Sequence, residues 1–278
     1  MKRDDVARIG GALLLLLALS AALFAHDYWI EPSPARLAKA GTTVLRLQVG
    51  EPFHPDEERV WQPEKTTRFV RFDAKGEHDL AKGLVAGAAP LGTIELPSDG
   101  LHLLVMERAP ATIELDAAKF TAYLEEEGLD HVITERRKRG EEAKPGRERY
   151  RRSLKALVRV GAAKDAVATT VVDAGQQTIE LVPHGDPTLA TSASGAAVPF
   201  DLVVEARFRG EPLAGLALHA NHVDHAAGAL VRTDAKGLAT IRIDAEGAWI
   251  VTAVHMIRGD EPTIADWESY WTSLTFTR

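Results

Sequence analysis

The chain of 278 residues contains no cysteine. That excludes disulfides, thiolate metal ligation and cysteine nucleophiles. The core must then hold the fold unaided, and any metal must sit on histidine, carboxylate or backbone groups. Basic charge is also short. There are 33 Lys and Arg against 40 Asp and Glu, a formal net charge of −7. Binding to a phosphate backbone relies on clustered Lys and Arg, so nucleic acid is not an expected partner. No glycine-rich phosphate loop, Gly-x-Ser-x-Gly elbow or His-Glu-x-x-His helix occurs, and nothing in the sequence argues positively for an enzyme.

Long apolar runs are scarce as well, and the one present is N-terminal. Lys2, Arg3 and Arg8 precede an uncharged stretch from Ile9 to Phe24, which closes in Ala22-Leu23-Phe24-Ala25. The stretch is short for a membrane span, which needs about 20 residues. Residues 1–25 therefore read as a signal peptide cut after Ala25, giving a periplasmic or secreted protein that starts at His26 and has no stable membrane insertion. An uncleaved anchor is the competing reading. No cysteine follows the run, which rules out a lipid-modified cysteine anchor. The segment holds three basic and two acidic residues, so its removal takes the net charge of −7 to −8.

The remaining sequence predicts a mainly β protein. Thr43–Val49 alternates apolar and polar residues, and Arg68–Phe72, Thr93–Leu96 and Leu101–Met106 are further short strands. At Asp116 the period changes to helical. A helix over 117–127 has Asp116 as N-cap and Gly128 as its stop; a second covers 129–139 and a third 147–160. In the third, Tyr150, Leu154, Leu157 and Val158 form one apolar face. The Lys, Arg and Glu residues of this region read as a solvated, salt-bridged surface. Strand patterns return at 178–182 and recur from 200 to 277. The expected architecture is two immunoglobulin-like β-sandwich units. The first covers 26–184 with a helical insertion at about 116–160; a linker spans 185–199; the second unit covers 200–278.

Several stretches carry a family resemblance: His26-Asp27-Tyr28-Trp29-Ile30-Glu31-Pro32, Leu45 to Glu51, Lys119 to Leu129, Gly146 to Tyr150, Val254-His255-Met256 and Asp266 to Trp271. On these the chain resembles a bacterial periplasmic family of unknown function associated with the periplasmic component of cobalt or nickel uptake. The C-terminal part is similar to the immunoglobulin-like module found beside carboxypeptidases and outer-membrane receptors. The resemblance implies a metal ion as ligand, and a metal transporter or outer-membrane receptor as partner.

Histidine is where chemistry could live. A cut after Ala25 gives His26 both a free α-amino group and an imidazole, two nitrogens able to chelate one ion. With another imidazole they form a histidine brace suited to Cu(II), and Ni(II) also takes such donors. Alternatively, His26 is merely the first residue of the mature chain. His255 is the expected second ligand. It lies on a strand over 249–256 that puts it on one face with Trp249, Val251 and Ala253. His102, in an apolar strand, is the third. For both, a satisfied core histidine is the alternative. His219, His222 and His225 are spaced like a cluster, but strand alternation sets His222 opposite the other two. Asp266 and Glu268 either orient a metal-bound imidazole or solvate a loop. The resulting expectation is a periplasmic binder of copper or nickel, less so cobalt. A scaffold module for a glycan, peptide or membrane protein and a copper-dependent redox enzyme are the alternatives.

Overall fold

A computed structural model describes residues 26–161, 168–189 and 198–278. The expected signal peptide at 1–25 and most of the expected linker, 190–197, lie outside the described residues. The fold is mainly β. Its strands in chain order begin with β1 (Asp27–Ser33), β2 (Arg36–Leu37), β3 (Gly41–Glu51), β4 (His54–Arg59), β5 (Thr66–Asp73), β6 (Gly76–Asp79), β7 (Gly92–Leu96) and β8 (Gly100–Leu115). Helices α1 (Ala117–Glu126) and α2 (Asp130–Lys138) follow, then β9 (Gly146–Val160), a short α3 (Ala168–Val172) and β10 (Ile179–Pro183). The chain continues through β11 (Phe200–Phe208), β12 (Glu211–Pro212), β13 (Ala217–His222), β14 (Ala229–Arg232), β15 (Leu238–Ile243), β16 (Ala248–Arg258) and β17 (Trp267–Thr277).

A nine-stranded sheet in the order β14-β13-β16-β17-β9-β8-β5-β6, with β2 beside β9, forms the middle layer. A strand's side chains alternate between faces, so a central strand can feed two cores. Leu154, Ala156, Val158 and Val160 of β9 pack on Ile30, Leu45 and Leu47 of the four-stranded sheet built from β1, β3, β4 and β7. On the opposite face Leu157 joins Leu181, Val204 and Ile241 of the sheet built from β10, β11, β12 and β15. The helices cover part of the first face, where Phe120, Leu124 and Val132 meet Val254, Met256, Trp267 and Trp271. No described helix is long and apolar enough to cross a membrane.

The helix expected at 117–127 forms as α1, with the Asp116 carboxylate accepting from the Lys119 amide at 2.9 Å, and the second forms as α2. The third does not form. Residues 146–160 are the strand β9, paired antiparallel with β8 and parallel with β17. Leu154, Leu157 and Val158 fit helical spacing, but every residue from Arg152 to Val160 is buried, as a strand covered on both faces requires. Two polar positions of the strand, Lys155 and Arg159, are held in buried ion pairs. Lys155 Nζ donates to Glu180 Oε2 at 2.6 Å, and Arg159 pairs with Asp186. The β9–β17 pairing also runs from Trp267↔Glu148 to Thr275↔Ala156, so both expected units contribute to one continuous sheet.

Candidate functional site

The start of β1 opens onto a cleft of about 480 Å³ that His26 and His219 both line. β1 pairs antiparallel with β3 from Asp27↔Gly50 onward, which fixes His26 and Asp27 beside the β3–β4 turn. Gly50 sits at the β-bulge just before that turn. Its φ is +149°, and a Cβ there would lie 2.6 Å from the Asp56 amide nitrogen and 2.7 Å from the His54 carbonyl. Asp56 thereby comes 3.0 Å from His26 Nδ1, a contact lacking hydrogen-bond alignment. The last turn of α1 supplies the second wall with Tyr123, Glu126 and Glu127. The third is the sheet itself, where His219 of β13 and Thr252 of β16 are register partners.

Burial dominates the electrostatics. Asp27 Oδ2 accepts from Thr252 Oγ1 at 3.3 Å. Desolvation nevertheless raises its pKa to about 7, with the Thr252 bond and Arg152 pulling it down and Glu126 pushing it up. Burial also lifts Glu127 well above the carboxylate range, helped by Asp27, Glu126 and Glu148. His219 Nε2 stands 3.9 Å from Glu127 Oε2, and burial, with Arg232, lowers the imidazole pKa. Both His219 Nε2 and His26 Nδ1 are shielded from solvent and have no hydrogen-bond partner among the described residues. The cleft therefore combines two buried imidazole nitrogens that lack an aligned hydrogen bond with two acids whose pKa values burial raises.

The Asp27 shift has a measurable consequence. The folded protein keeps this proton up to about pH 7, whereas an unfolded aspartate releases it near 3.8. Between those values the folded state binds more protons, so stability falls as pH rises through that window and levels off above it. The loss approaches about 4 kcal/mol, at 1.36 kcal/mol per pKa unit. Asp27→Asn should be more stable than wild type at pH 8, with the difference vanishing below pH 4. Urea denaturation across pH checks it; parallel curves for the two proteins would show that Asp27 ionises freely.

The structure brings His26 together with Asp27, Glu127 and His219, but with neither His255 nor His102. His255 does share a face with Trp249, Val251 and Ala253, as the alternation predicts. That face packs on β11, where the Phe208 ring lies 4.7 Å from the imidazole, and Thr252 reaches the cleft from the other side of the strand. Burial, with His131 and Arg209 nearby, lowers the His255 pKa to about 4. His102 is thirteen positions along β8 from Leu115, which lines the cleft. At about 3.3 Å per residue that is a separation of up to roughly 40 Å. Its Nε2 bonds the Ser98 carbonyl at 2.8 Å, and its Nδ1 lies 3.9 Å from Asp73.

His222 and His225 leave the cleft too, packing against Trp249 at a tilt and edge-on, with ring centroids 4.9 and 5.7 Å from it. Asp266 takes a two-point bond from Arg147 at 2.9 Å, and Glu268 accepts from Tyr270 Oη at 2.8 Å. Sequence reasoning assigned no role to Asp27 or Glu127; their one signal was their place within stretches that carry the family resemblance. Among the described residues no three His, Asp or Glu side chains are already arranged to hold a metal ion. The cleft presents donors on separate walls, not a formed coordination sphere.

A family model described as a domain of unknown function (DUF4198) matches residues 23–257 of the chain. No curated protein matches it.

Proposed function

The chain belongs to this family, and from that premise we propose that it is an exported protein that captures a divalent transition metal, copper or nickel before cobalt, in the cleft at His26. One observation supports the reading: the buried nitrogens of His26 and His219, without an aligned hydrogen bond among the described residues, stand beside the carboxyls of Asp27 and Glu127, whose pKa values burial raises. Two imidazoles and two carboxylates are a mixed nitrogen and oxygen set that suits Cu(II) and Ni(II). Signal-peptide cleavage after Ala25 would add the α-amino nitrogen of His26 as a further donor. The resemblance to proteins associated with cobalt and nickel uptake supports the same metals, and a metal transporter or outer-membrane receptor is the partner for delivery.

Metal binding here must displace protons, so affinity should fall about tenfold per pH unit below 7 for each proton displaced. Calorimetric titration of metal-stripped protein beginning at His26, run in buffers of different ionisation enthalpy, tests this. We expect one Ni(II) or Cu(II) per chain with release of at least one proton. Absence of saturable binding by both ions would refute the reading.

A further inference from the structure

Tyr28 follows Asp27 on β1, and strand alternation sends it away from the cleft into a second cavity of about 280 Å³. The β8–β9 register shifts between Arg108 and Ala111, which leaves Ala109 and Pro110 unpaired at its rim. Arg59, Lys65, Arg108 and Arg152 line this cavity, with Tyr28 and Tyr150. Glu64 is the one acid among its lining residues, and it is exposed.

Arg152 is the unusual member. It is only 9% exposed, and its guanidinium lies 4.0 Å from the Tyr28 ring centroid and 4.5 Å from that of Tyr150. Stacked between these rings it makes no ion pair among the described residues, and its buried Nε has no hydrogen-bond partner. Arg108 donates to Gln62 Oε1 at 2.8 Å and likewise makes no ion pair among the described residues. Arg59 pairs with Glu57 at 2.8 Å, but its buried Nε is also unpartnered. Arg59, Arg108 and Arg152 all line this one cavity, and burial, with the charges of Arg152 and Arg59, lowers the Arg108 pKa.

Like charges gathered in a shielded cavity are costly without a counter-charge. We propose that this cavity is a binding site for one small oxyanion, a carboxylate or a phosphate, held by Arg152, Arg108 and Arg59. Guanidinium forks match either group by paired N–H···O bonds, and the rings of Tyr28 and Tyr150 fix the Arg152 fork in place. The volume admits inorganic phosphate or a small polycarboxylate and excludes a polymer. The cavity shares no lining residue with the metal cleft.

Calorimetric titration of the metal-stripped protein at low ionic strength, with inorganic phosphate in one arm and citrate in the other, tests the proposal. We expect saturable 1:1 binding in at least one arm, and the tighter arm tells whether the natural ligand is a phosphate or a carboxylate. Arg108→Gln should weaken binding at least tenfold, while Arg242→Gln, which removes an exposed guanidinium paired with Asp201, should leave it unchanged. Should Arg108→Gln fail to fold, Arg59→Gln, at the partly exposed edge of the cavity, carries the same expectation. Saturable binding in neither arm would overturn the proposal. So would affinity untouched by the cavity variants, or lost equally in Arg242→Gln, which would reveal only diffuse attraction.

Discussion

His219→Ala is expected to weaken copper or nickel binding by about 100-fold or more. Perturbing even a residue behind a metal ligand costs about 10–100-fold, and this change removes a proposed donor outright. His219 Nε2 is buried, has no hydrogen-bond partner and lies 3.9 Å from Glu127, so nothing else in the cleft replaces it. His26→Ala should have an effect of similar size, because it removes the second imidazole and leaves only an amino nitrogen and the Asp27 carboxyl on that wall. A double His222→Ala/His225→Ala variant should bind like wild type, since those rings pack against Trp249 outside the cleft. Titration of the variants side by side decides the matter. Binding that survives His219→Ala but disappears in the double variant would move the site to the β13–β14 turn.

The second large effect concerns the strand that reads as a helix. Glu180→Ala should destabilise the protein by about 3–5 kcal/mol, because it strands a buried ammonium without its partner. Lys155 is fully enclosed between β9 and β10, and burial already lowers its pKa although Glu180 Oε2 is only 2.6 Å away. Replacing both partners together, Lys155→Met with Glu180→Leu, should be neutral or stabilising, since neither desolvated charge remains. Urea unfolding of the single and double variants measures both effects. A loss under 1 kcal/mol for Glu180→Ala would mean that water or another group reaches Lys155.

The same residues explain which parts of the fold could be read from the chain. α1 was legible because its signals are local: Asp116 caps it, Gly128 stops it at φ +64°, and the period changes between them. The strand that became β16 was legible down to the face shared by His255, Trp249, Val251 and Ala253. β9 was not, because its charged residues satisfy one another across layers, with Glu180 and Asp186 supplied from distant sequence. Periodicity registers that Lys155 and Arg159 are polar; it carries no information about a carboxylate 25 or more residues away.

The candidate site divides the same way. His26 stood out because export would give it two nitrogens. His219 was masked by its spacing with His222 and His225, although alternation correctly separates it from His222. His255 and His102 satisfied the local criterion of a histidine on an apolar strand. Their places in the fold, on the far face of β16 and thirteen residues up β8, depend on layer order, and no single strand encodes that.

Anomalous diffraction at the absorption edge of the bound metal, from crystals of the protein beginning at His26 grown with Ni(II) or Cu(II), locates the ion directly. The account predicts one strong peak in the cleft between His26 and His219, within bonding distance of both imidazoles. A peak beside His222 and His225, or beside His255 and His131, with the cleft empty, would contradict it.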